Sequence, residues 1–314
     1  MSPTDRCRVF APGSIGNLAC GFDVLGLALE GPGDEVTAYR TQSPGVVLRS
    51  VSGDQGRLPR ESARNTAGAA AVAVLERSGA NFGVALELKK GLPLAAGMGG
   101  SAASAVAAAL AVSTLLDSPL STEMVLECAL VGEGVASGDT HPDNGAPSLV
   151  GGLVLVPSWR PLRIISLEVP VELFSVHVHP HMEMETAGAR DILGDSVPLP
   201  DAVAQWGNTA ALVTALFRND WELLALAVED RFAEPVRAEL VPGFYDVKQA
   251  ALDSGAVAAS LSGSGPSLFA LCRGRGRAEA AGEAMARAFR TAGGLDADVL
   301  ISVGRAPGAR ILDG

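Results

Sequence analysis

Between Gly91 and Ser104 the chain reads GLPLAAGMGGSAAS, and few backbones accept such a run. Pro93 marks a turn, glycines follow at 97, 99 and 100, and Ser101-Ala102-Ala103-Ser104 opens an alanine-rich stretch that predicts a helix to about Leu116. Just before it, Val84 to Lys89 (VALELK) alternates at the period of a strand. Glycine tolerates positive φ and lets a bound group meet the backbone with no Cβ between them. Successive amides in such a loop, followed by a helix N-terminus, offer unpaired N–H donors and about half a positive charge to an anion. Strand, glycine loop and helix in that order predict a phosphate cradle. It is not a Walker loop, because no Gly-Lys-Ser/Thr follows the glycines and the chain has only three lysines, at 89, 90 and 248. Backbone amides, the helix dipole and a metal ion must then carry the phosphate charge, with the Ser101 hydroxyl set to cap the helix or to meet magnesium. Taken alone, the same residues also fit a glycine–alanine linker beside a tightly packed helix.

Composition narrows the partners. A chain of 314 residues predicts about two domains with a sizeable core. A net charge of −11 argues against nucleic acid or an anionic membrane as the main partner. It also requires any nucleotide site to build its own positive potential. No basic flank precedes an apolar N-terminal stretch and no run approaches about 18 apolar residues, so a cytoplasmic protein is expected. Cys7, Cys20, Cys128 and Cys272 are far apart with no CxxC pair, which predicts reduced, packed thiols.

The rest of the chain supplies further polar residues in apolar settings. Cys7 to Ala11 predicts a strand, Pro12-Gly13-Ser14 a turn, and Asn17 and Asp23 stand among glycines and apolar residues before Leu29. Each fits a turn or cap, or a role in binding: Asp23 for a cation such as an ammonium, Asn17 for a hydroxyl. Alternation from Glu35 to Ser52 predicts an antiparallel hairpin, and Asn65 heads a helix of about 13 residues that ends at Gly79. Ser121 to Ala136 predicts a helix with Glu133 between Gly132 and Gly134, followed by a loop, SGDTHPDNGAPSLVGGL, that gathers His141, Asp143 and Asn144. That cluster reads either as Asx turns or as a grip on a hydroxylated or aminated ligand.

In the second half, Val150 to Pro157 and Arg163 to Val169 predict strands with a boundary nearby. Phe174 to His179 alternates, and its spacing of His177, His179 and His181 predicts solvent-facing or interface histidines, since Pro180 interrupts any metal pattern. A short helix from Glu185 carries Arg190, helices follow at Asp201–Phe217 and Trp221–Phe232, and EPVR carries Arg237. Lone arginines of this kind serve as surface charges or as bidentate carboxylate ligands. After a helix from Val241 to Ser254, the loop Ser262-Gly263-Ser264-Gly265-Pro266 lies between two apolar runs, where it could face an anion or support the first loop. A helix from Gly276 to Ala292 and a strand from Ala297 to Val303 close the sequence.

Three motifs in this order, PGSIGNLACGFDVLGLAL, GLPLAAGMGGSAAS and SLSGSGPSLFAL, resemble the signatures of the GHMP kinases, and the match spans most of the chain. Asn17 with Gly21-Phe22-Asp23, the run His141-Pro142-Asp143-Asn144-Gly145-Ala146-Pro147, and the segments holding Arg190 and Arg237 resemble the homoserine kinase branch. The resemblance implies an α+β, two-domain fold: an N-terminal domain (1–165) with a left-handed βαβ unit and a ferredoxin-like C-terminal domain (166–314). It implies ATP and Mg²⁺ as cofactors and L-homoserine as the phosphorylated substrate, with a homodimer as a family expectation. ATP would lie on Pro93, Leu94, Ala95, Ala96, Gly97, Met98, Gly99, Gly100, Ser101, Ala102 and Ala103, with Asn65 near the nucleotide and Ser262, Gly263, Ser264 and Gly265 in support. Ser101 and Glu133 would meet the metal ion. Asp23 would take the ammonium, Arg190 and Arg237 the carboxylate, and Asn17, His141, Asp143 and Asn144 the rest of the substrate, with Asn17, Asp143 and Asn144 nearest the chemistry. Gly100 departs from the family pattern, which carries serine there. A shikimate- or mevalonate-type kinase, or a silent metabolite binder on the same fold, stays open at this point.

Overall fold

The computed structural model describes residues 5–138, 140–184, 186–194 and 196–313. Their strands form two sheets. The first is ordered β11-β1-β2-β4-β3 and comprises β1 (Arg6–Gly16), β2 (Leu25–Thr41), β3 (Val46–Ser52), β4 (Gly83–Lys89) and β11 (Arg310–Asp313). Short β5 (Leu153–Leu155) pairs with the start of β2 and carries β6 (Ile165–Leu167) beyond it. Cys7, Val9 and Ala11 alternate inward along β1, as Val36 and Ala38 do along β2.

Three expectations change here. The hairpin expected between Glu35 and Ser52 is not formed. Instead β4 lies between β2 and β3, antiparallel to the first and parallel to the second. The reason is burial. β4 is apolar and covered on both faces, which suits the middle of a sheet, whereas β3 exposes Val47, Arg49 and Ser50 and suits an edge. α1 (Thr66–Ser78) makes the crossover, so β3–α1–β4 is the βαβ unit. The turn expected at Pro12-Gly13-Ser14 is a bulge within β1, marked by a register shift against β2 between Pro12 and Ser14. The loop expected around His141 is a helix, α4 (Pro142–Val150), with Pro142 in its first turn, where a missing N–H costs nothing.

α2 (Gly100–Thr114) packs with α1 and α4 against this sheet, and α3 (Thr122–Ser137) packs on α1 and α2. α2 is buried on almost every side, which its alanines permit by letting neighbouring helices approach closely. Asn65 and Ser121 cap α1 and α3 with their side chains, and Gly79 ends α1 in a left-handed conformation, as the sequence predicts.

The second sheet, wholly antiparallel, is ordered β10-β7-β9-β8, from β7 (Leu173–Pro180), β8 (Ala258–Leu261), β9 (Leu268–Arg273) and β10 (Ala297–Val303). In chain order that is fourth, first, third, second, with helices in both crossovers: the ferredoxin-like arrangement. α9 (Phe244–Asp253) and α10 (Arg275–Ala288) cover it around Phe244, Leu268, Met285 and Phe289. Between β7 and α9 run α5 (Thr186–Asp191), α6 (Leu199–Arg218), α7 (Trp221–Ala227) and α8 (Glu234–Arg237). α7 stops five residues before the expected Phe232, because Asp230 takes the next amides, at 232, 233 and 234, into a turn. Glu185, expected to head α5, lies outside the described residues.

His177 corrects another expectation. It is fully buried in β7, and burial pushes its pKa down to about 3, so it is a neutral core residue, while His181 is exposed. All four cysteines are free and buried. Among the described residues no helix is long and apolar enough to cross a membrane.

Candidate active site

The glycine loop lies where the two sheets meet, and its carbonyls decide its chemistry. Ala95 O accepts from Met184 N at 3.1 Å, Ala96 O from the Ser267 hydroxyl, Gly97 O from the Ser262 hydroxyl at 2.7 Å, and Met98 O from Ser14 N at 3.0 Å. Four successive carbonyls are thus held from behind by the second sheet and β1. A peptide group is planar and trans, so each pinned carbonyl turns the following N–H to the opposite side. Among the described residues none of the amides of Ala95 to Gly99 donates a hydrogen bond, and all five residues line one cavity of about 490 Å³. Gly97 has φ +70°, and a Cβ there would meet the carbonyls of Ser262 and Gly265 at 2.7 Å. The second glycine loop therefore grips the first.

Gly99 at φ +65° leads into α2, whose first turn places Ser101 at the cavity wall. Gly99, and not Ser101, occupies the cap position, so the Ser101 hydroxyl is left to the cavity. At Gly100 the nearest atoms to a Cβ would be Lys90 Nζ, at 3.4 Å, and Leu92 Cβ and Pro93 O, each at 3.6 Å. Serine would fit, and what its absence removes is a hydroxyl near that ammonium.

Lys90 is a site residue that the motifs do not reveal. Its ammonium is buried under the loop in an ion pair with Asp34 and donates to Gly100 O at 2.8 Å. Asp34 also accepts from Ser104 Oγ at 2.6 Å and from the amides of Gly91 and Leu92. The whole cluster is nearly sealed from water, so Asp34 neutralises the one lysine that reaches the cavity. Arg57, Leu58 and Thr66 join the lining without any motif, as does Ser104 from the end of the glycine motif, and Arg57 is ion-paired with Glu183.

At the other end of the cavity the chain turns through Asn17, Leu18 and Ala19, all with positive φ, as has Asp23. Such conformations cost roughly 1 kcal/mol each in non-glycine residues and persist where surrounding bonds over-determine them. Those bonds are present. Asn17 N donates to Asp143 Oδ2 at 3.0 Å, its side chain donates to Gly263 O at 3.1 Å, and its Oδ1 accepts from Asp23 N at 2.9 Å. Asn144 accepts from Ser14 Oγ at 3.0 Å and donates to Asp143. Gly26 passes so close that a Cβ would fall 1.6 Å from Asp143 O.

The charges of this end are arranged in opposition. Arg190 meets Asp23 at 2.8 Å across a half-exposed pair. Arg237 is 3% exposed, holds the carbonyls of Ala189 and Gly263, and among the described residues has no carboxylate within ion-pair distance. Burial lowers its pKa. Asp143 is fully buried, and burial, then the charge of Asp23, pushes it up to about 7, while its Oδ1 has no partner. His141 N donates to Glu133 at 3.3 Å, and the imidazole lies 3.6 Å from the same carboxylate. Burial opposes the His141 cation, but the hydrogen bond and charge of Glu133 together raise its pKa.

Of the residues expected from sequence, Asn17, Asp23, Glu133, His141, Asp143, Asn144, Arg190 and Arg237 line this cavity, with Pro93 to Ser101, Gly263 and Ser264. Asn65, Ala102, Ala103, Ser262 and Gly265 lie behind it. Asn65 is buried as the α1 cap, bonding the amides of Ala67 and Gly68, and Thr66 beside it reaches the cavity instead.

A Mg²⁺ ion bridging phosphates needs only one or two protein oxygens beside waters and phosphate oxygens. The Glu133 carboxylate and Ser101 hydroxyl, hard oxygen donors that both line the cavity, fit that demand. No larger cluster of His, Cys, Asp and Glu able to hold a metal exists among the described residues.

Comparison with known proteins places these features in a family. Residues 65–152 match the model of the GHMP kinases N terminal domain and residues 212–291 that of the GHMP kinases C terminal. The chain is 46% identical to the homoserine kinase of Chloroherpeton thalassium, over 96% of this chain and 98% of that protein. It is 44% identical to the homoserine kinase of Chlorobaculum tepidum, over 96% and 97%. The crystal structure of homoserine kinase from Cytophaga hutchinsonii superposes with a TM-score of 0.94 at 43% identity, covering 99% of each chain.

Proposed function

The chain belongs to the GHMP kinases, in their homoserine kinase branch, and we propose that it transfers the γ-phosphoryl group of ATP to the side-chain hydroxyl of L-homoserine. The product is O-phospho-L-homoserine, a step toward threonine, made in the cytoplasm.

The observation that carries the substrate reading is Arg237: a buried cation facing the cavity with, among the described residues, no carboxylate within ion-pair distance. A buried charge is costly until paired, so an anionic ligand group is favoured there. The Arg190–Asp23 pair beside it offers one further cation and one anion. An α-amino acid matches this set, its carboxylate on the two arginines and its ammonium on Asp23. Its side chain then points toward Asp143, Asn144 and the phosphate loop.

Phosphoryl transfer through a loose transition state asks for alignment and charge neutralisation more than for covalent work. The amides of Ala95 to Gly99 and the α2 N-terminus hold the triphosphate. Ser101 and Glu133 would hold Mg²⁺, which when bound would supply positive charge at the phosphate oxygens. Asn17 and Asn144 orient the substrate, and Asp143 accepts a hydrogen bond from its hydroxyl, with positioning as its main role.

The test is a coupled ADP-release assay with Mg-ATP on L-homoserine, L-threonine, mevalonate, shikimate and galactose, with 3-aminopropan-1-ol as carboxylate-free homoserine. Turnover on L-homoserine alone, with kcat/KM for the aminopropanol down at least about 100-fold, is expected from the loss of a charged buried partner. Equal turnover of the aminopropanol would remove the arginine assignment. Nucleotide binding without turnover of any acceptor would mark a silent binder.

A further inference from the structure

The two substrate arginines share a neighbour that stays out of the cavity. The guanidinium carbon of Arg190 lies 5.3 Å from the centroid of the Phe22 ring, and that of Arg237 lies 5.7 Å from it. Both are within the range of cation–π attraction. The ring is set edge-on against Phe232, at 6.4 Å and 74°. Phe22 lines two further clefts, one of them shared with Arg190, but not the cavity itself.

Holding two guanidinium groups together for one carboxylate sets like charges against each other, and the charge of Arg190 adds to burial in lowering the pKa of Arg237. Arg237 is tied by two carbonyls. Arg190 leans on Asp23, the group that the ammonium of the substrate would compete for. The face of Phe22 attracts both cations and is not exchanged when substrate enters. We infer that Phe22 is a positioning residue for substrate carboxylate recognition: its ring holds the Arg190 and Arg237 guanidinium groups together, so it sets affinity for the amino-acid substrate and not for the nucleotide.

This rests on the homoserine reading, and one experiment separates the two. Steady-state kinetics are measured for wild type, Phe22→Leu and Phe22→Trp with L-homoserine and with ATP varied in turn, beside thermal unfolding of each protein. For Phe22→Leu the KM for L-homoserine should rise about 5- to 30-fold, with kcat and the KM for ATP within about twofold of wild type. Phe22→Trp, which keeps a π face, should restore the KM for L-homoserine to within about threefold. An unchanged KM for L-homoserine in Phe22→Leu overturns the inference, as does an equal rise in both KM values or a failure of tryptophan to restore. Should Phe22→Leu not fold, Phe22→Met removes the π face with similar volume and is read in the same way. A wild type that turns over no homoserine sinks the substrate reading first, and this inference with it.

Discussion

Asp143 is a carboxyl group that water does not reach, and its titration follows from that. Burial and the nearby Asp23 disfavour its anion more than His141 and the Asn17 amide favour it, and its pKa stands at about 7 against an ordinary 3.8. The folded protein therefore holds a proton that the unfolded chain releases. Its contribution to stability is complete below about pH 4 and is lost as pH rises to about 7, by about 1.4 kcal/mol per pH unit at the steepest. Asparagine keeps the shape and carries no titration. Urea unfolding of apo wild type and Asp143→Asn at pH 5 and pH 8 should show the variant losing less stability over that interval, by on the order of 2–3 kcal/mol. Parallel losses would mean that Asp143 ionises normally in the fold. None of this was legible in the letters HPDN. The motif marks a polar cluster, but whether it lies in a wet loop or a sealed helix turn depends on β1 and β2 crossing in front of it, through contacts more than 100 residues apart in sequence. His177 escaped for the same reason: period-two spacing along β7 does not reveal which face the helices cover.

At the scale of elements, the strand, glycine loop and helix from Gly83 to Thr114 were the most legible part of the chain, because strand, glycines and helix start are local signals. Asn65 and Gly79 could likewise be placed as caps from a few neighbouring letters. What could not be read was pairing. The alternation at Val46 to Ser52 identifies a half-exposed strand without naming its neighbour, and the short β11 is too exposed to stand out. Lys90 was seen only as one of three lysines, since its partner Asp34 is 56 residues away. That pair now makes a prediction. Removing one member of a buried ion pair costs about 3–5 kcal/mol, because the other charge stays buried alone. Lys90→Met should show that loss in urea unfolding, and the KM for ATP should rise as Asp34 loosens its hold on the amides of Gly91 and Leu92. Adding Asp34→Asn should recover part of the stability, whereas strictly additive losses would show that the two groups do not act as a pair.

Over the whole molecule, the cavity is assembled from both sheets and the segments that flank them. Ser262, Ser267 and Met184 lock the glycine loop from the side of the second sheet, while the proposed amino-acid end hangs on α4, whose first turn carries Asp143 and Asn144. The far end of α4 is closed by the C-terminal segment. Ala309 N donates to the carbonyls of Ser148 and Leu149, Gly152 N donates to Ala306 O at 2.8 Å, and Gly151 bridges Pro307. Gly308 packs so closely that a Cβ would lie 2.4 Å from Gly151 N. β11 then adds to the edge of β1, the strand that delivers Asn17, with Asp313 ion-paired to Arg6 at 3.0 Å. Residues 306–313 are thus bonded to α4 and β1, the elements that shape the proposed homoserine end, and among the described residues none of them bonds directly to the glycine loop. Each of these backbone bonds contributes about 0.5–1.5 kcal/mol, so deleting residues 305–314 should cost roughly 2–5 kcal/mol and lower Tm by several degrees. The kinetic effect should be uneven, with the KM for L-homoserine rising several-fold and the KM for ATP staying within about twofold. Thermal unfolding and steady-state kinetics on the truncated chain measure both. A matched rise in the two KM values would show that the tail steadies the protein as one body, without favouring the α4 end of the cavity.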